Sequence, residues 1–465
     1  MKILSSHKAT RDQLQIISRS TPGVVVIRGA AGSGKTTSAL LRLTAVVHAL
    51  SYRKNLSNDK KPIKALVLSF NRTLAGYIDG LISESRSKAQ LPINIESNTF
   101  ACWATKHLGN NLIDEKKKKQ FLISNSTHLG YDEEFILDEI EYIRGRFKFD
   151  ELNKYLTTER TGRGISPQVT RQTRIELIKI IRNYKEFLDK NKLDDWHTHC
   201  EKMANIPSLD YDIVVADETQ DFSANQIRAI IAHLADDYYL TFVIDTIQRL
   251  YPRGFTWIET GLDMRKAAYF RLTENHRNTI EIAKFASSIT DGITVDDDGS
   301  ISDFTQNTRY GKKPIICIGD YPSQVDFAIK YITKHIDLTK ESVAFLKPKG
   351  GMWFDFLKGK LTKSKLKYHN LTKERNWPGD SVNIALSTMN SAKGLEFDHI
   401  IIIGLSEGNT RHQGDENDES LIRLRRLLAM AVSRARESVI IGYKEDEKPD
   451  LIAYFNKDTY KEIKL

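Results

Sequence analysis

Gly23-Val24-Val25-Val26-Ile27-Arg28-Gly29-Ala30-Ala31-Gly32-Ser33-Gly34-Lys35-Thr36-Thr37 is the stretch on which the fold turns. Val24 to Ile27 is an unbroken β-branched run, and the glycine-rich segment behind it opens into an apolar-periodic stretch, Ser38 to His48. The order is strand, loop, helix. Residues 29–36 fit the pattern G-x-x-x-x-G-K-[ST]. In that setting the glycines let backbone N–H groups wrap phosphate oxygens, Lys35 brings charge to the β and γ phosphates, and the Thr36 hydroxyl ligates magnesium. An ordinary glycine turn is the bland alternative, and the flanking strand and helix weigh against it.

Short apolar runs recur outward from this point at Ala65 to Phe70, Ile213 to Ala216, Leu240 to Ile244, Ile315 to Ile318, Val382 to Leu386, His399 to Ile403 and Val439 to Ile441. Helix-length stretches separate them, which predicts parallel α/β sheets with both faces covered. The runs fall into two groups. The first is interrupted by a polar stretch with helical spacing at Leu137 to Phe149 and Arg174 to Leu188, and residues 291–307 read as an exposed connection. The expected organisation is α/β, with two parallel-sheet domains and an inserted helical subdomain: residues 1–100 and 207–275 form the first domain, 101–206 the insertion and 276–465 the second domain.

A second element sits on the run Ile213-Val214-Val215-Ala216, which delivers Asp217 and Glu218 to the carboxyl end of a strand, where open parallel sheets bind ligands. Paired with the phosphate loop, Asp217 is expected to hold magnesium and Glu218 to polarise an attacking water.

The 465 residues exceed the roughly 250 to 300 at which single cores stop growing, so at least two domains are expected. With 40% hydrophobic and 28% charged residues the composition is that of a folded protein. No apolar run reaches the roughly 18 residues of a membrane span, and the first residues carry no secretory h-region, so a cytoplasmic protein without membrane contact is expected. The 69 basic against 60 acidic residues leave +9, which favours a polyanionic partner. The three cysteines, Cys102, Cys200 and Cys317, form no CxxC pair and read as buried apolar side chains. His197, His199 and Cys200 read as a satisfied surface cluster, and no zinc is assigned. The lysines of 116–119 and of 358–367 read as solvated helix faces.

Further motifs carry a resemblance. Asp217-Glu218-Thr219-Gln220-Asp221 resembles the DExQD box of superfamily 1 helicases of the UvrD and Rep type. Gln13 precedes the phosphate loop, as does the family's adenine-reading glutamine. Leu68-Ser69-Phe70-Asn71-Arg72 and Thr99-Phe100 look like DNA-contacting motifs. Asp245-Thr246-Ile247-Gln248-Arg249-Leu250-Tyr251 is similar to GDxxQxIY, and Leu272-Thr273-Glu274-Asn275-His276-Arg277 to LxxNYRS. Thr388-Met389-Asn390-Ser391-Ala392-Lys393-Gly394-Leu395-Glu396-Phe397 resembles T-x-H-x-AKGLEF, and the segment from Arg425 to Arg436 resembles RRLLYVAMTRAR.

The resemblance implies two RecA-like domains that share ATP and Mg2+ in the cleft between them, and travel 3′ to 5′ on single-stranded or tailed duplex DNA. It makes Lys35, Glu218, Gln248, Arg277 and the arginine finger Arg434 catalytic. It assigns nucleotide binding to Gln13, Gly29, Ala30, Ala31, Gly32, Ser33, Gly34, Lys35, Thr36, Thr37, His276, Gly394 and Glu396, and magnesium to Thr36 and Asp217. DNA contacts fall on Phe70, Asn71, Arg72, Thr99, Tyr251, Trp257, Thr388 and Asn390. His276 stands where the family stacks a tyrosine, and an imidazole offers less face. Ile244 and Asn390 replace a glycine and a histidine. The span between Arg277 and Thr388 is too short for the family's 2B subdomain, which favours a second reading: a DNA-stimulated ATPase subunit that senses ends or single strands and licenses a partner nuclease in repair or anti-phage defence. A P-loop kinase or GTPase explains neither Arg277 nor Arg434.

Overall fold

The computed structural model describes residues 11–29, 33–69, 93–160, 168–244, 255–272, 278–293, 309–347, 353–371, 382–410 and 419–465. The β-branched run becomes β1 (Gly23–Gly29). It pairs in parallel with β5 (Leu234–Ile244) on one side and β6 (Ala268–Leu272) on the other. With β2 (Ile63–Ser69), β3 (Ile93–Thr99) and β4 (Tyr211–Ala216), the order across this six-stranded sheet is β3-β2-β4-β5-β1-β6.

Both faces are covered, which is why the strands read as continuous apolar runs rather than alternating ones. Val25, Ile27, Val67 and Val215 point into a core with Ala39, Leu43 and Val47 of α2 (Lys35–Leu56), and Ile16 of α1 (Arg11–Ser18) joins it. Val24, Val26, Leu68, Val214 and Phe242 point the other way, against α3 (Phe100–Leu108), the later α7 (Trp196–Asn205) and α8 (Ala224–Ile231).

The helical insertion comprises α4 (Glu115–Ser124), α5 (Glu133–Arg146) and α6 (Arg171–Lys190), while α7 packs under the first sheet. The insertion owns a separate core in which Leu122, Ile136, Ile140, Ile143, Leu177, Ile181, Tyr184 and Leu188 meet. A buried ion pair, Arg144 to Asp195 at 2.6 Å, closes it beside the first sheet. Three expectations differ from the structure. The lysine run is not wholly solvated: Lys118 is buried and pairs with Glu141 at 2.5 Å, because its position faces α5. The His197, His199 and Cys200 group is buried, not on the surface, since α7 is wedged between α3 and α8; His197 bonds Glu141 at 2.7 Å. Cys102 is half-buried, unlike Cys200 and Cys317.

The second sheet has seven strands: β7 (Ile315–Ile318), β8 (Val343–Lys347), β9 (Tyr368–Asn370), β10 (Ile384–Thr388), β11 (Phe397–Leu405), β12 (Ala435–Tyr443) and β13 (Lys461–Lys464), in the order β13-β7-β12-β11-β8-β10-β9. Every pairing in it is parallel. α9 (Ile280–Ile289) and α12 (Glu419–Val432) cover one face; α10 (Tyr321–His335) and α11 (Trp353–Lys363) cover the other. On α11 and beyond, Lys358 and Lys360 meet Asp355 and Asp326 at 3.6 and 2.6 Å. The fold is therefore two RecA-like parallel-sheet α/β units with a helical insertion in the first. No helix among the described residues is long and apolar enough to cross a membrane.

Candidate nucleotide cleft

Gly29 ends β1 at a point where a Cβ would lie 2.5 Å from Ser33 Oγ and 2.6 Å from the Leu272 carbonyl, so no side chain fits. Gly34 is left-handed (φ 76°) and caps α2 without a side-chain hydrogen bond, leaving the first N–H groups of that helix turned to the loop mouth. A Cβ there would come within 2.6 Å of Gln13 Nε2, which places Gln13 of α1 directly against the loop. Lys35 is buried and its Nζ donates to the Gly29 carbonyl at 2.8 Å. Thr36 Oγ1 donates to Asp217 Oδ2 at 2.9 Å. Thr37 is exposed beside them.

Asp217 leaves β4 with its N–H on the Leu68 carbonyl, 2.8 Å, so the sheet itself fixes where the carboxylate stands. Glu218 follows in the left-handed region (φ 54°), a conformation uncommon for a residue with a Cβ. Its amide donates to Asp217 Oδ1 at 3.0 Å, and Gln220 Nε2 donates to its Oε2. Opposite stands the second sheet. Lys393, fully buried, pairs with Asp221 Oδ2 and lies 3.6 Å from Glu218 Oε2. Arg434 is 3% exposed and its guanidinium lies 3.8 Å from Glu218 Oε1.

Arg434 precedes β12 and its carbonyl accepts the Phe397 N–H at the start of β11, 3.0 Å. Asn278 Nδ2 donates to the carbonyls on either side, Ser433 at 3.0 Å and Ala435 at 2.5 Å. The carboxyl edge of the first sheet thus faces the amino edge of the second, and six charged side chains meet between them: Lys35, Asp217, Glu218 and Asp221 against Lys393 and Arg434.

Burial pushes the Asp217 pKa well up and repulsion from Glu218 adds to it, while the Thr36 hydrogen bond pulls the other way. Burial also opposes ionisation of Glu218, but Lys393, Arg434 and Lys35 outweigh it and hold the group below the usual carboxylate range. Lys393 is lowered to about 8 by burial; Glu218 resists that shift and Arg434 adds to it. The Asp217 carboxylate and the Thr36 hydroxyl, 2.9 Å apart, are an oxygen pair suited to a hard divalent cation that retains most of its waters. Thr36 and Asp217 therefore fit the expected magnesium. Among the described residues no group of three or more His, Cys, Asp or Glu could hold a metal ion.

The remaining expected residues are placed as follows. Thr99 ends β3 level with Ser69, and its hydroxyl caps α3 by accepting the Cys102 N–H at 3.2 Å. Thr388 ends β10 and its Oγ1 donates to Ser391 Oγ at 2.9 Å; Asn390 is exposed beyond it. Trp257 packs on Phe242, ring centres 4.8 Å apart, and belongs to the flank of the first core. Gly394 takes φ 78° in the turn that carries Lys393, and Glu396 is half-buried. Ala30, Ala31, Gly32, Phe70, Asn71, Arg72, Gln248, Tyr251, His276 and Arg277 lie outside the described residues. Three residues that the sequence reading gave no role stand in the cleft or hold it: Lys393, Asp221 and Asn278. The first two sit inside quoted motifs; Asn278 has no sequence signal.

Residues 354–446 match the family of UvrD-like helicase C-terminal domains. Among solved structures, the C-terminal domain of a possible DNA helicase from Lactobacillus plantarum WCFS1 aligns at 19% identity and a TM-score of 0.31, covering 40% of this chain and 98% of that one. No curated protein matches.

Proposed function

We propose that this chain, whose residues 354–446 match UvrD-like helicase C-terminal domains, hydrolyses ATP in the cleft between its two sheets and uses the resulting opening and closing to move 3′ to 5′ along single-stranded DNA. The observation that carries the reading is the approach of Arg434 and Lys393 to Glu218 across the cleft, at 3.8 and 3.6 Å. Lys35 and the N–H groups of α2 hold the phosphates, and Gln13 beside Gly34 reads the base. Thr36 and Asp217 hold magnesium, which supplies charge neutralisation at the phosphate oxygens when bound. A water oxygen attacks the γ-phosphorus, the bond to the bridging oxygen breaks, and ADP leaves with the electron pair. Glu218, kept ionised by its three cations, accepts the proton of that water. Arg434 neutralises charge that builds on the transferring phosphoryl group. Neither sheet completes this site alone.

The second reading is a DNA-stimulated ATPase that licenses a partner nuclease without separating strands by itself. It is favoured by one observation: every described element between Asn278 and Thr388 belongs to the second sheet or its covering helices, with no further body among the described residues. Both readings expect ATP turnover that rises with single-stranded DNA, and an affinity that falls with log salt at a slope of about −0.7 per phosphate neutralised. Incubation of the purified chain with ATP, Mg2+ and duplexes bearing 3′ or 5′ tails separates them. Unwinding of the 3′-tailed duplex alone supports the motor, stimulated turnover without unwinding supports the licensing subunit, and turnover indifferent to DNA contradicts both.

A further inference from the structure

α12 belongs to the second sheet and terminates just before Arg434. α5 belongs to the insertion, and its C-terminal end is riveted to α8, the helix that begins just after Asp221. Asn225 Nδ2 donates to the Arg144 carbonyl (2.7 Å) and the Phe147 carbonyl (2.9 Å), and Arg228 donates to the Arg146 carbonyl (2.9 Å). Arg146 in turn grips both oxygens of Glu259 at 3.0 Å, so this joint is held by buried and half-buried bonds in several directions.

Away from the cleft the two helices meet: Arg423 of α12 donates to Asp138 Oδ2 of α5 at 2.9 Å. The contacts close a frame, running from Glu218 to Arg434, along α12 to Arg423, across to Asp138, down α5 to Arg144 and Arg146, and through α8 back to Asp221. We infer that Arg423 and Asp138 are a positioning pair through which the helical insertion holds α12, and with it Arg434, opposite Glu218. The inference rests on the cleft being the ATP site.

The lever is long. α12 has 14 residues, or about 21 Å at 1.5 Å per residue, so a tilt of about 5° at one end moves the other by about 2 Å. A shift of that size takes a guanidinium out of reach of a developing charge. The pair itself is a third exposed on each side (32% and 36%), so it biases the position of α12 rather than fixing it, and its loss acts modestly.

The test is ATP turnover in the absence of DNA by the full chain, comparing the parent with R423A, D138A and the exchanged pair R423D/D138R. Each single substitution is expected to lower kcat about two- to fivefold with KM for ATP unchanged, and the exchange to restore most of the loss. Raising salt to about 0.5 M should bring the parent toward the single variants, as screening weakens an exposed pair. Parent-level kcat in both single variants, or an exchanged pair as slow as either one, overturns the positioning role. A parent chain that turns over no ATP even with single-stranded DNA refutes the proposed function instead; one that turns over only with DNA is compared with its variants in that state. Should R423A fail to fold, D138A decides alone.

Discussion

Arg434→Ala lowers ATP turnover by about 10³-fold or more, with nucleotide affinity kept within a few-fold of the parent chain. The separation follows from where the side chain comes from. Lys35, Thr36 and Gln13 all belong to the first sheet's helices, whereas Arg434 lies just before β12 in the second sheet. Arg434 is oriented from its own side, by Asn278 on the neighbouring carbonyls and by a 3.5 Å contact from its Nε to Met430 Sδ. It therefore contributes most when charge appears on the transferring group and least to ground-state binding. Equilibrium binding of a fluorescent ATP analogue beside single-turnover hydrolysis reads the two quantities separately. Arg434→Lys is expected to recover little, because a point charge on a flexible stem does not reproduce a planar fork held in place.

Glu218→Gln is expected to cost about 10² to 10⁴ in turnover, again with binding retained. The substitution is close to isosteric and keeps an acceptor for Gln220 Nε2, so the cleft packing survives. What it removes is the proton acceptor. That acceptor is ionised only because Lys393, Arg434 and Lys35 offset its burial, and an amide has no equivalent state. Hydrolysis at the parent rate in this variant would mean that another group takes the proton.

Much of this architecture is legible in the sequence, for a definite reason. Strands with both faces covered must be apolar on both, and the runs at Val24, Ile213, Leu240, His399 and Val439 became β1, β4, β5, β11 and β12. β3 and β6 lack that signature. Both are sheet edges, and β3 carries Asn94, Glu96 and Asn98 among its residues. β8 lies between β11 and β10, and its run Val343-Ala344-Phe345-Leu346 is apolar and buried throughout, so its signal is present in the sequence although short.

The candidate site divides in the same way. Lys35, Thr36, Asp217 and Glu218 are readable because a phosphate loop and a carboxylate pair sit at strand ends. The pairing of Lys393 with Asp221 joins residues 172 positions apart, and no local pattern encodes which lysine crosses a cleft to which aspartate. The burial of Lys118, His197 and His199 was likewise invisible, since it depends on how α4 and α7 dock and not on their own periodicity.

The central claim is that one triphosphate touches both sheets. Photolabelling with an ATP analogue that carries its reactive group on the γ-phosphate, followed by peptide mapping of the full chain, tests it most directly. Labelled peptides are expected from both sides: from residues 33–37 or 217–221 on the first sheet, and from residues 389–396 or 433–437 on the second, all suppressed by excess ATP. Labelling confined to the first sheet at saturating analogue would contradict a shared site.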